Sequence, residues 1–137
     1  NPDTVFAGTR PSGVFRTRDA GQTWTKLDVP IAKECMIGET FVTAIAVDPD
    51  DSQTIWVGVE IDGVYRSRDG GETWTHLKDG MYDPDVHDMT IARANPKRLY
   101  VSTAAEMFLS DDLGDTWHGS HARLRTFPLE VPLHLPV

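Results

Sequence analysis

Residues 67–74 read SRDGGETW, and this octapeptide decides the fold because the chain repeats its pattern twice more. The same pattern stands at 17–24 as TRDAGQTW and at 110–117 as SDDLGDTW. All three fit Ser/Thr-x-Asp-x-Gly-x-Thr-Trp, and their aspartates lie 50 and then 43 residues apart. A motif that recurs at such a spacing indicates a repeat architecture in which each unit is one supersecondary module.

The sequence around the middle octapeptide predicts four short strands. Residues 41–47 form an apolar, β-branched run, and residues 53–59 form a second one after an Asp-Pro turn. Residues 63–68 alternate as a third strand, and the octapeptide provides the turn into a fourth strand at 73–77. No window shows helical periodicity, so we predict a four-stranded antiparallel meander.

Aligned on this unit, the chain divides into three repeats and a final segment. We predict strands two to four of a first repeat at 4–28, a second repeat at 41–78 and a third at 88–120. Residues 129–135 follow the third octapeptide at about the distance expected for the first strand of a further repeat. Pro132 within this segment favours an edge or innermost position, because proline cannot donate a ladder hydrogen bond.

Composition excludes several classes of protein. A chain of 137 residues is normally one domain with a substantial core. The net charge of −8 disfavours a nucleic-acid partner and an anionic membrane surface, because both present phosphates. Cys35 is the single cysteine, which excludes an intrachain disulfide and a cysteine metal cluster. The chain begins at Asn1 without a visible signal peptide, which leaves open an upstream segment that was removed or not included.

The three octapeptides resemble Asp-box (BNR) repeats, which occur in β-propellers of sialidase-like and xyloglucanase-like glycosidases, sortilin-type receptors and photosystem assembly factors. All three agree at the five defining positions, and the resemblance covers nearly the whole chain. It implies an all-β fold, a β-propeller of four-stranded antiparallel blades with three blades in this chain. It also implies that each box forms the turn between strands three and four, on the face away from the ligand.

The resemblance assigns a structural role to twelve box residues. They are Asp19, Gly21, Thr23, Trp24, Asp69, Gly71, Thr73, Trp74, Asp112, Gly114, Thr116 and Trp117. The aspartates can accept hydrogen bonds from turn amides, the glycines can adopt a positive φ, and the tryptophans are expected to wedge between neighbouring sheets. The alternative is a cation or sugar site built from the three aspartates.

Three blades are fewer than the four to eight with which propellers typically close. Two interpretations stay open: the chain is an excerpt of a longer propeller, or two chains form a six-bladed ring. We expect the homodimer, in which the strand at 129–135 of one chain completes the first blade of its head-to-tail neighbour.

Strand connectivity places the boxes on one face of the blades and the longer connections on the other. The second face is the ligand face in sialidase-like propellers. Ligand-binding candidates there are Arg10, Glu60, Asp62, Tyr82, His87 and Arg123. Arginines also recur in strand three at 16, 18, 66 and 68, and this repetition indicates a scaffold role for them.

Glycoside hydrolysis needs a pair of carboxylates across a cleft. The candidate catalytic residues for such a reaction are Glu34, Glu60, Asp62, Asp83, Asp85 and Glu106. Solvated loop acids give the same pattern, so we do not expect catalysis. His87, flanked by Asp85 and Asp88, has the chemistry of an acid/base or a metal ligand, although a plain loop histidine is the commoner outcome.

The sequence therefore favours a non-catalytic module that binds a carbohydrate or protein ligand on the loop side. A glycosidase-like hydrolase, or a fragment of one, is the alternative. An assembly chaperone similar to the photosystem factors is a third reading, which the acidic composition disfavours. We predict no metal and no other cofactor. The resemblance leans towards an extracellular or periplasmic location, but the sequence itself does not decide the compartment.

Overall fold

A computed structural model describes residues 2–93 and 97–120 of the chain. Within these ranges the regular elements are all β-strands, which form three antiparallel blades and one short hairpin. None of the described segments forms a helix that could span a membrane.

The blades follow one another along the chain. The first blade consists of β1 (Val5–Thr9), β2 (Gly13–Thr17) and β3 (Thr25–Leu27). A hairpin of β4 (Glu34–Cys35) and β5 (Gly38–Glu39) comes next. The second blade consists of β6 (Val42–Val47), β7 (Ile55–Val59), β8 (Gly63–Ser67) and β9 (Thr75–Leu77). The third blade consists of β10 (Val86–Ala92), β11 (Arg98–Thr103), β12 (Met107–Ser110) and β13 (His118–Gly119).

The predicted four-stranded antiparallel blades are confirmed. Strands pair in chain order in the second and third blades, so each blade is a meander. The first blade has the order β1-β2-β3 in the described part of the chain. Residues 129–135, for which the sequence predicts a completing strand, lie outside the described residues.

The second blade lies between the other two and carries the most buried strands. Every residue of β7 and β8 is buried, because both faces of this sheet are covered. Trp56 is fully buried and packs with Leu99 and Phe108 of the third blade. On the opposite side Val57 and Tyr65 pack with Val14 of the first blade. Two hydrophobic cores therefore join three sheets.

The two first strands that face each other, β6 and β10, begin with a bulge. Thr43 and His87 are the residues that leave the ladder, because the register shifts between Val42 and Ala44 and between Val86 and Asp88. The Thr43 hydroxyl donates a hydrogen bond to the Val86 carbonyl at 2.7 Å. This bond links the second blade directly to the third at the end where the longer loops lie.

An arginine from each of the first two blades holds the Asp box of the next blade. Arg16 on β2 donates to the carbonyl of Gly70 at 2.6 Å and to the Glu72 carboxylate at 2.8 Å. Arg66 on β8 donates to the carbonyl of Leu113 at 2.8 Å and to the carboxylate of the following box at 2.7 Å. We call each of these blade-to-box contacts a seam. Arg16 and Arg66 thus lie at contacts between blades, as a scaffold role requires.

Candidate functional site

The three Asp boxes are hydrogen-bonded turns that lie together on one side of the blades, the box face. In the middle box Asp69 accepts a hydrogen bond from the Thr73 amide at 2.9 Å and others from the hydroxyls of Thr73 and Ser67. The same bonds recur around Asp19 and Asp112. Both carboxylate oxygens are therefore used within the turn.

These bonds favour the charged form of each aspartate. Hydroxyl and amide donors from Thr17 and Thr23 lower the pKa of Asp19 to about 2. The Thr73 donors hold the pKa of Asp69 well below its usual range. At Asp112 burial alone would raise the pKa, but bonds from Thr116 and Ser110 outweigh it and lower the pKa to about 2. The turn consequently needs ionised aspartates.

The alternative of a cation site at the boxes gains no support from the geometry. Among residues 2–93 and 97–120, no group of three or more His, Cys, Asp or Glu side chains is arranged to hold a metal ion. The box glycines have the positive φ that their position requires, for example 100° at Gly71.

The first box tryptophan differs from the other two in the described part of the chain. Trp24 is 45% exposed, whereas Trp117 is 3% exposed and belongs to the core between the second and third blades. Trp74 is half-buried against the core between the first and second blades. The difference follows from position, because no described blade precedes the first box and covers its ring.

The opposite side, the loop face, carries the connections at 10–12, 28–41, 60–62, 78–85 and 104–106. Arg10 lies over the ring of Phe41, with its guanidinium carbon 4.8 Å from the ring centre. The Phe41 carbonyl accepts a hydrogen bond from the Glu60 amide at 3.0 Å. Two ligand-binding candidates, Arg10 and Glu60, are thus brought to the same part of the loop face.

Asp62 is engaged in holding the longest loop in place. Its Oδ2 atom accepts hydrogen bonds from the Ala32 amide at 2.8 Å and from the Tyr65 hydroxyl at 2.8 Å. Burial, together with this carboxylate, raises the pKa of Tyr65 far above its usual value. His76 stacks on Tyr65 with ring centres 4.3 Å apart and lies 2.7 Å from the Asp62 carbonyl. Because a carbonyl only accepts, His76 Nε2 carries the proton in this bond.

Asp83 has a similar role in the next loop. Its two oxygens accept hydrogen bonds from the Asp85 amide at 3.2 Å and from the Ala105 amide at 2.7 Å. Burial alone would raise the pKa of Asp83, but hydrogen bonds from Thr103, Ala105 and Asp85 lower it. The 78–85 loop is thereby tied to the third blade.

Asp85 and His87 form an acid–imidazole pair at the start of β10. His87 Nε2 lies 3.5 Å from Asp85 Oδ1, and that oxygen is buried without a hydrogen-bond partner. The carboxylate is 24% exposed and the imidazole 53% exposed. Asp88 Oδ1 instead accepts from the Met89 amide at 2.8 Å. Glu106, the remaining acid of this region, accepts from the Ser120 hydroxyl at 3.0 Å.

Tyr82 stands at the mouth of a cavity of about 300 Å³ on the loop face. Its ring is 69% exposed and meets Phe108 edge-on, with ring centres 5.0 Å apart. Ile61, Gly63, His76, Lys78, Met81 and Pro84 also line the cavity. A larger cavity of about 660 Å³ lies at the box-face ends of β1 and β6, away from every ligand-binding candidate that the structure describes.

The loop face also displays apolar side chains that sequence reasoning did not select. Met36 and Ile37 form the turn of the β4–β5 hairpin and are 98% and 70% exposed, and Met107 is 47% exposed. The available signal was a Met-Ile pair between two acidic residues and just before Gly38. Arg123, the remaining ligand-binding candidate, lies outside the described residues, and Glu34 belongs to the hairpin.

Comparisons with known proteins agree with this architecture. The family described as BNR/Asp-box repeat matches residues 65–76, which contain the middle box. No curated protein matches the chain by sequence. The structure resembles a GH74 enzyme of Niastella koreensis with a TM-score of 0.71, at 24% identity over 87% of this chain and 19% of the other.

Two further solved structures show the same likeness. The structure of YCF48 bound to D1 peptide has a TM-score of 0.66, at 16% identity over 87% of this chain and 38% of the other. The GH74 xyloglucanase of Xanthomonas campestris has a TM-score of 0.65, at 17% identity over 87% and 22% of the two chains. The chain thus spans well under half of each of these structures. It has the fold of part of an Asp-box β-propeller.

Proposed function

We propose that the chain is part of a non-catalytic propeller module that binds a carbohydrate or protein ligand on the loop face. The exposed ring of Tyr82 beside the 300 Å³ cavity is the observation that carries this proposal. An aromatic ring that is open on one side and bordered by polar groups suits the apolar face of a sugar or a side chain of a peptide. His76 and Lys78 supply the polar border.

The state of the loop carboxylates supports binding rather than hydrolysis. A glycosidase needs a general acid whose pKa is raised so that it stays protonated near neutral pH. Asp83 has a lowered pKa instead, and its oxygens accept two backbone hydrogen bonds. Asp62 is bonded to an amide and a phenol from two different elements. Moving either aspartate into a reaction would release a loop.

A binding screen with a double variant and a control variant tests the proposal. The probes are a glycan array that includes xyloglucan oligosaccharides, and a set of unstructured peptides, followed by calorimetry on each hit. We expect the variant with Tyr82→Ala and Arg10→Ala to bind a hit about tenfold more weakly, because it loses one stacking surface and one cation. Val47→Ala on the box face is the control. Unchanged binding in the double variant would refute the site.

A glycosidase-like activity is the second candidate, favoured by the likeness to GH74 structures and by the Asp85–His87 pair. In that case the chain, or the longer protein of which it is a part, hydrolyses xyloglucan or aryl glycosides. Asp85→Asn and Glu60→Gln would each abolish turnover. Absence of hydrolysis by the unaltered protein would exclude this candidate for the chain.

We also propose that a second copy completes the propeller as a homodimer, with residues 129–135 as the strand added to the first blade. The chain matches only 19–38% of the propeller structures it resembles, so blades from elsewhere must complete a ring. Light scattering of the purified chain tests this: a mass near twice 15.2 kDa is expected, and a monomer would refute it.

A further inference from the structure

The two seams inside the chain share one chemical pattern. In each, a nearly buried arginine of one blade meets a carboxylate of the next box, Arg16 with Glu72 and Arg66 with Asp115. In each, a leucine at the end of the earlier blade also packs against the box glycine of the later one. At both seams, therefore, a buried arginine in the earlier blade is paired with an acid in the box of the following blade.

The outward side of the third blade is the side that faces away from the second blade. It departs from this pattern at the arginine position and at the leucine position. Leu109 stands where the first two blades have the buried arginine, and Ser120 stands where they have the leucine. Asp111 replaces the second arginine of the strand, and its carboxylate is bound by Arg98 Nε at 2.7 Å. This side thus presents Leu109, and no buried arginine, to the box of the blade that follows it.

The open side of the first blade departs in the matching way. Gln22 occupies the position at which the second and third boxes have an acid. A Cβ atom on Gly21 would meet only the ring of Trp24, whereas the other two box glycines face a leucine of the preceding blade. Trp24 itself is 45% exposed. The first box is therefore uncovered and carries no charge at the seam position.

We propose that the outward side of the third blade binds the first box of a second copy, with Gln22 against Leu109. An acidic box residue at this seam would lose its hydration against Leu109 and would find no buried arginine to pair with, so it would cost free energy. The neutral amide of Gln22 avoids that cost. The third blade lacks the arginine and the first box lacks the acid, and both changes meet at the same proposed contact. The inference rests on the proposed ring closure by a second copy, but it does not depend on the loop-face ligand.

A charge-exchange series tests the seam in the full chain by sedimentation equilibrium. The unaltered protein is expected to dimerise, and Gln22→Glu is expected to weaken dimerisation by about tenfold or more. Adding Leu109→Arg to Gln22→Glu should restore it, because the pair then reproduces the Arg66–Asp115 contact. Gln22→Asn is the neutral control and should leave the dimer intact. Circular dichroism verifies that each variant is folded.

Three outcomes would overturn the inference. They are a monomeric unaltered protein, a Gln22→Glu variant that dimerises as before, and a double variant that shows no recovery. A monomer would assign the outward side of the third blade to a further blade of a longer chain. Because none of these variants touches the loop face, failure of ligand binding and failure of the seam are separate results.

Discussion

The box aspartates make the stability of the fold depend on pH. Their pKa values are lower in the folded chain than the ordinary value of about 3.9, reaching about 2 at Asp19 and Asp112. A lowered pKa adds stability that is present above about pH 4 and is lost as the pH falls towards 2. We expect the thermal midpoint to drop across this interval. The drop should be smaller in Asp112→Asn. Equal drops in the two proteins would contradict a stabilising role for ionised Asp112.

Within one seam, the two charged partners differ in how much stability depends on them. The Arg66 side chain is 8% exposed and Asp115 is 54% exposed. Arg66→Ala removes buried packing and leaves the box carbonyl of Leu113 with one donor fewer, so it should cost about 2 kcal/mol. Asp115→Ala removes only an accessible carboxylate and should cost less than about 1 kcal/mol. Urea titration measures both, and the reverse order would disprove the buried-arginine account.

At the scale of elements, the 78–85 loop is held by the close approach of two backbones. Gly80 has a φ of 85°, and a Cβ there would overlap the Trp117 carbonyl oxygen, which is backbone and cannot turn aside. The Trp117 amide also donates to the Asp79 carbonyl at 3.1 Å. This pairing keeps Tyr82 and the cavity residues next to the third blade.

We therefore expect Gly80→Ala to destabilise the chain by about 2 kcal/mol or more. Gly21→Ala is a matched control, since its φ is similar, at 93°, but a Cβ there comes no closer than 3.9 Å to another atom, on the Trp24 ring. Backbone strain alone should cost about 1 kcal/mol in the control. Denaturant unfolding compares the two, and equal losses would show that steric overlap with Trp117 is unimportant.

The elements that sequence could predict are those whose signals are local. Strands two to four of each blade follow from alternating apolar runs and box turns. The sequence did not predict the β4–β5 hairpin, because its strands are two residues each and its turn is Met36-Ile37 rather than a turn-forming pair. The bonded states of Asp62 and Asp83 were equally hidden, since their partners Ala32 and Ala105 lie 30 and 22 residues away.

For the whole molecule, the middle blade should be the last part to open. Both of its faces are covered, and β7 and β8 are buried throughout, whereas β3 and β13 lie at outer edges. Amide hydrogen exchange should therefore be slowest at residues such as Val57 and fastest in the outer strands. Uniform exchange across the blades would mean that the three sheets unfold as one unit.

The seams also relate the completion of each blade to the order in which the chain is synthesised. Arg16 is bonded to Gly70 and Glu72, which lie 54 and 56 residues further along the chain. As the amino-terminal blade leaves the ribosome, its guanidinium group stays hydrated until the next box has been translated. The first and second blades are thus each completed by the blade that follows them in the chain.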